Sequence, residues 1–190
     1  MHQKFDPRHM ARLDSPERRE MLPPERILGE FALSEGETLL DVGAGIGFFS
    51  LPAAGMVGPG GRVIALDSSA EMEAELERRV ALSGLANLEA KVSGEYDFGL
   101  DEGRADLALL CTVLHEVEEP VRLLRETFRC LKPGGRIGVV EWLPSHIGHG
   151  PHPGARLEIS AARALAEEAG FQVAWSRELN EAVYLLYARK

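Results

Sequence analysis

Leu39-Leu40-Asp41-Val42-Gly43-Ala44-Gly45-Ile46-Gly47-Phe48-Phe49 is an apolar run that breaks into glycines at alternate positions. A short apolar run bounded by glycine reads as a buried strand. Glycine lets the chain turn tightly and lets a ligand approach the backbone closely. A helical pattern follows over roughly 46–55, and a helix N-terminus offers unpaired N–H groups. A tight strand–helix turn also uses glycine for purely structural reasons, so the turn by itself is weak evidence. The next apolar run, Arg62-Val63-Ile64-Ala65-Leu66, closes on Asp67, 20 residues after Gly47. An acid at that place can take the two hydroxyls of a ribose.

Outward from this pair of strands the text keeps alternating. Strand-like runs recur at Leu88-Glu89-Ala90-Lys91-Val92, Ala105 to Cys111 and Arg136 to Glu141, and helical patterns lie between them at roughly 69–83, 119–131 and 160–169. Short apolar strands alternating with helices mean βαβ units, a parallel sheet and a helix layer on each face. The alternation stops at the end: Phe171 to Ser176 and Ala182 to Ala188 are joined by only Arg177 to Glu181. No helix fits there, so these two runs pair antiparallel at a sheet edge. A helix begins at Pro23-Pro24 and runs through Phe31, proline being suited to a first turn. Residues 1–22 are polar and read as an arm or lid with one short helix, leaving 23–190 as a single domain. Residues 144–157 form one long Gly/Pro-rich loop, a kind that is often functional.

Composition narrows the partners. The chain has 190 residues, 45% hydrophobic, enough for one substantial core. Its apolar stretches fall short of the roughly 20 residues that span a bilayer, and Met1-His2-Gln3-Lys4-Phe5-Asp6 has no apolar leader core. Two cysteines, Cys111 and Cys130, make no disulfide framework. The expectation is a reduced, cytoplasmic protein with no membrane contact. The formal charge is −9, all of it from residues 31–190, because residues 1–30 balance. Nucleic acid needs a positive surface. No basic run is longer than the pairs Arg18-Arg19 and Arg78-Arg79, which are interleaved with Glu and read as solvated, ion-paired helix faces.

Asp41 sharpens the choice of nucleotide. A carboxylate two residues before the first glycine would repel a pyrophosphate and suit a ligand bearing an ammonium group. S-adenosylmethionine (SAM) has that group, a sulfonium cation and a ribose, and no phosphate. NAD, whose fingerprint is Gly-x-Gly-x-x-Gly, fits less well because position 48 is Phe. The stretch from Leu39 to Phe49 resembles motif I of the class I SAM-dependent methyltransferases. Val63 to Ser69, Asp106 to Glu116 and Leu131-Lys132-Pro133-Gly134-Gly135-Arg136 match further blocks in order, so that the resemblance covers roughly residues 25–190. Within that superfamily the chain is similar to the small-molecule branch that includes the ubiquinone and menaquinone methyltransferases. The resemblance implies an α/β, three-layer Rossmann-like fold whose seven-stranded, mostly parallel sheet has an antiparallel last strand. It also implies SAM as cofactor. Asp41, Gly43, Ala44, Gly45 and Gly47 would hold the methionine end, Asp67 the ribose, and Ser68 and Met72 would pack near the adenine. Gly94 and Glu95 would stand where the family has Gly-Asp toward the adenine amino group, an Asp-to-Glu departure. Cys111 and Thr112 would contact the cofactor mainly through backbone.

Methyl transfer asks the protein to align nucleophile and methyl, exclude water and sometimes remove a proton. Candidates at strand ends are His115, as a general base, and Glu141, to receive a proton or orient substrate. Trp142 would wall a pocket. His146, His149 and His152 recur every third residue, but the glycines and prolines among them forbid a helix, so no metal site is expected. Arg156 is a candidate for an anionic substrate, and Pro52 is expected to kink the helix it interrupts. The activity expected is transfer of a methyl group to a small, uncharged or cationic molecule by a monomer or homodimer. Rival readings are a tRNA or rRNA methyltransferase, a SAM-binding protein without catalysis and, remotely, an NAD-dependent oxidoreductase. Arsenic methylation, also found among similar sequences, relies on several thiols and is set aside for a chain with two.

Overall fold

The computed structural model describes residues 6–148 and 150–190, so His149 of the histidine series and the first five residues of the arm lie outside the described residues. A 3₁₀ helix over Pro7–Asp14 opens the described chain. Then come α1 (Pro16–Met21), α2 (Pro24–Glu30), β1 (Thr38–Val42), α3 (Ser50–Val57), β2 (Arg62–Asp67), α4 (Ala70–Ser83) and β3 (Leu88–Val92). The second half is β4 (Ala105–Cys111), α5 (Pro120–Cys130), β5 (Leu131–Trp142), α6 (Ile159–Glu168), β6 (Gln172–Glu178) and β7 (Val183–Arg189).

The strands form one seven-stranded sheet in the order β3-β2-β1-β4-β5-β7-β6. Every pairing among the first five is parallel, while β7 runs antiparallel to both β5 and β6. Successive residues of a strand face opposite sides, and the core divides accordingly. Leu39, Val63, Leu107 and Leu109 pack under α2 and α3 with Phe31, Ala53 and Val57. Leu40, Ile64, Ala108 and Leu110 pack under α5 and α6 with Leu124, Ala162 and Ala166. The sandwich is therefore helix, sheet, helix. Winding reverses between β1 and β4, and an open α/β sheet splays its loops apart at such a point and leaves a crevice at the strand ends.

Four local expectations change. The arm holds a 3₁₀ helix and an α-helix rather than one helix. The helix after the glycines starts at Ser50, not 46, because left-handed glycines at 45 and 47 keep the chain in turns. Pro52 then falls in the first turn of α3, where a missing N–H costs nothing, so no kink is called for. Finally, β5 starts at Leu131 rather than 136, because Leu131 pairs with Ala105 before the register shifts.

Candidate active site

The floor of the crevice is built by β1 and β2. Gly43, Gly45 and Gly47 all have positive φ, the region where a side chain is strained. A Cβ on Gly43 would sit 2.5 Å from Val113 Cγ2, and one on Gly47 would sit 2.4 Å from Leu76 Cδ1. The N–H groups of Gly43 and Ala44 donate to the Leu66 carbonyl at 2.8 and 2.9 Å. That of Gly45 donates to Asp67 Oδ2 at 2.8 Å, and Ser69 N–H donates to Asp67 Oδ1 at 2.9 Å. The strand-end carboxylate is thus aimed by both neighbouring turns before any ligand arrives. Asp41 lies beneath it, 2% exposed. Its carboxylate accepts a hydrogen bond from Ser50 Oγ at 2.5 Å. Burial pushes the Asp41 carboxyl up to about 7, Asp67 adding to the rise and the Ser50 bond opposing it.

Above these strand ends lies a cleft of about 1200 Å³. Asp41, Gly43, Ala44, Gly45, Asp67, Ser68, Met72, Gly94, Glu95, Cys111, Thr112 and His115 all line it, drawn from the ends of β1 to β4, the loops beyond them and the first turn of α4. Two of the residues expected to bind cofactor or act in catalysis, Gly47 and Glu141, stand outside that lining. Gly47 faces α4 through Leu76, a packing contact. Glu141 is fully buried on β5 and holds His115 from behind.

The His115–Glu141 pair is the chemical centre of the second half. Glu141 Oε2 lies 2.7 Å from His115 Nδ1, and Glu141 also accepts from the backbone N–H of His115 at 3.4 Å and of Trp142 at 3.3 Å. The other ring nitrogen, Nε2, lies 3.8 Å from Glu116 Oε1. Burial lowers the His115 pKa, but the Glu141 bond and charge, with Glu116, outweigh it and leave the pKa raised. The sequence named His115 and Glu141 separately; neighbouring strands β4 and β5, with Cys111 opposite Val140, bring them together. Thr112, at the turn between them, has a φ of 58° without being glycine, and its N–H is held by the Val140 carbonyl at 2.8 Å. Backbone strain of that kind persists where the surroundings enforce it, commonly at functional sites.

Several side chains take other parts than those expected. Arg156 donates to the carbonyls of Pro151, Leu143 and His146 at 3.1, 3.2 and 2.6 Å and so clasps the Gly/Pro-rich loop. It also lies 5.8 Å from the Trp142 ring, which His146 stacks against at 5.9 Å. His152 accepts from Gly154 N–H at 3.1 Å, a local turn cap. Burial pushes the Cys111 thiol up to about 12 and Cys130 to about 11, so neither is a thiolate near neutral pH.

The arm, read from sequence as an arm or lid, contributes side chains that the sequence did not single out for the site. Leu13, Ser15, Glu17, Arg18 and Met21 line the same cleft from above. Asp14 ties this arm to α4 through Arg79 at 2.7 Å, and Asn180 Nδ2 holds the Met21 carbonyl at 2.8 Å. Arg78 and Arg79 are ion-paired to Glu75, as read from sequence. Arg18 departs from that reading: its Nε is buried with no hydrogen-bond partner among the described residues. A polar segment with helical charge spacing carries no signal that one of its arginines turns inward.

A family described as "Methyltransferase domain" matches residues 40–139. The crystal structure of a SAM-dependent methyltransferase from Aquifex aeolicus superposes with a TM-score of 0.94 at 34% identity, over 98% of this chain and 99% of that one. The arsenite methyltransferase of Halobacterium salinarum is 28% identical over 151 residues, 74% of this chain and 39% of that protein. A demethylmenaquinone methyltransferase of Lactococcus lactis is 29% identical over 106 residues, 56% of this chain and 42% of that protein. The chain spans less than half the length of these two curated relatives.

Proposed function

The chain belongs to the class I SAM-dependent methyltransferases, and from that premise we propose that it methylates a small-molecule acceptor held between His115 and Trp142. The cofactor of the family is SAM, and the cleft suits it on its own terms. Asp67 is pre-aimed toward it, Asp41 stands ready to ionise beside a cation, and the glycines leave the backbone bare. Pockets for drug-sized ligands measure roughly 300–1,000 Å³, so a cleft of about 1200 Å³ leaves room for an acceptor as well. When bound, SAM supplies an electrophilic methyl group on a sulfonium.

The protein's own part is to position, dry and deprotonate. Glu141 fixes Nδ1 of His115 as the protonated nitrogen, so that Nε2, 3.8 Å from Glu116 Oε1, is the nitrogen that takes a proton in a residue lining the cleft. An acceptor O–H or N–H gives its proton to Nε2, and the charge so formed is compensated by buried Glu141. Glu141 is therefore a positioning residue and His115 the catalytic one. The arm over Pro7–Met21 serves as a lid that keeps water from the transfer. A small acceptor accords with this roofed cleft, with a formal charge of −9, and with relatives that bear the names of demethylmenaquinone and arsenite methyltransferases. Arsenic chemistry remains set aside, since the chain has two cysteines, both buried and neither ionised near neutral pH.

The observation that carries this reading is the 2.7 Å pair of His115 and Glu141 on the wall facing the glycine turn. It is tested with His115→Gln in a methylation screen over hydroxyl- and amine-bearing small molecules. The expected result is a loss of about 10²–10⁴ in kcat with calorimetric SAM affinity unchanged. Full activity of the variant would remove His115 from the reaction. SAM binding with no turnover of any acceptor by the wild type would favour a non-catalytic SAM-binding protein.

A further inference from the structure

Arg18 sits in the cleft with a donor unspent. An arginine on a helix surface normally keeps its guanidinium in water. Here α1 turns it inward, its guanidinium carbon 5.1 Å from the centre of the Phe48 ring in the glycine turn. Its Nε is buried and unpartnered among the described residues. Burial lowers its pKa, against the attraction of Glu116. The neighbouring cations are satisfied: Arg19 pairs with Asp14, and Arg79 pairs with Asp14 and Glu75. A desolvated donor left without a partner costs free energy that a bound ligand can return. The planar guanidinium fork matches a carboxylate, which takes two parallel N–H···O bonds.

We propose that Arg18 binds a carboxylate of the ligand in this cleft, so that the lid recognises the ligand it closes on. The inference rests on the SAM-dependent reading above. The carboxylate has two possible sources, the methionine tail of SAM and an anionic acceptor. The second source would overturn the expectation of an uncharged or cationic acceptor.

Calorimetry with SAM and with decarboxylated SAM, which keeps the ammonium and the sulfonium, separates them. With the cofactor as source, the wild type binds decarboxylated SAM about tenfold or more weakly, Arg18→Met abolishes the difference, and Arg18→Lys restores part of it. With the acceptor as source, the wild type binds both equally. Acetate then binds the S-adenosylhomocysteine complex of the wild type but not that of Arg18→Met. Should Arg18→Met unfold, Arg18→Gln, neutral and still polar, takes its place. A SAM preference that survives loss of the guanidinium, or no preference together with acetate binding that is absent or indifferent to the variant, overturns the proposal. A wild type that binds neither SAM nor S-adenosylhomocysteine overturns the cofactor reading instead.

Discussion

The floor and the roof of the cleft are held by different kinds of force. The floor, from Asp41 to Asp67, is set by the parallel pairing of β1 with β2 and by backbone N–H groups donating to Leu66 and Asp67. Asp41, Val42, Ala44 and Leu66 are buried, and the ladder that aligns them is backbone, which a side-chain change leaves in place. The roof, from Pro7 to Met21, is held by side chains: Asp14 to Arg79, Asn180 to the Met21 carbonyl, and Arg18 and Arg19 over Phe48. The Asp14–Arg79 pair is part-buried, both side chains 22% exposed, and ion pairs that reach solvent contribute about 0–1 kcal/mol each, so such a roof can open at little cost. A rigid receptor under a removable cover is what a transfer that must exclude water, yet release its product, requires.

The largest effect that would break this contrast lies in the floor. Asp67→Ala removes a carboxylate already fixed by two N–H donors. SAM affinity by calorimetry should fall by about 100-fold, two charge-assisted hydrogen bonds' worth. A loss of less than threefold would mean that the floor is not where SAM binds. Asp41 offers a graded test. Its carboxyl titrates near 7 in the free protein, and a cationic ligand favours the ionised form. Below pH 7 binding must therefore expel a proton, and SAM affinity should fall by up to about tenfold per pH unit on acidification. Above 7 it should level off. Asp41→Asn should flatten the profile, and neutral methylthioadenosine should show no slope in the wild type. The smallest effect belongs to the roof. Asp14→Ala releases both Arg19 and Arg79. Melting should shift by only a few degrees at most, while KM rises about twofold to fivefold, an effect that added salt should reproduce in the wild type. A larger loss of stability than of KM would make the arm part of the core rather than a cover.

The two halves were also unequally legible. Asp41, the glycines and Asp67 could be read together because parallel strands in register bring their ends to one edge; Asp41 pairs with Ala65 and Val42 with Leu66. His115 and Glu141 could be named as strand-end residues, but the 2.7 Å bond that makes one the orienter of the other depends on how β4 and β5 twist together. Gly47 matched a binding motif yet serves the contact with Leu76, since a tight turn and a close approach ask for the same residue. Arg156 resembled an anion site and proved to be a loop clasp, because a sequence does not say which donors the backbone will consume.

Alternating strands and helices, the terminal hairpin and the two strand-end acids follow from the chain alone. Apolar periodicity and glycine act over a few residues, and their meaning hardly depends on the rest of the molecule. The inward turn of Arg18, the orientation of His115 and the seating of the arm were decided by contacts between distant segments, 65 residues apart for Asp14 with Arg79 and 159 for Asn180 with Met21. A polar residue takes its role from whichever partner the closed fold brings to it, and local pattern holds no record of that partner.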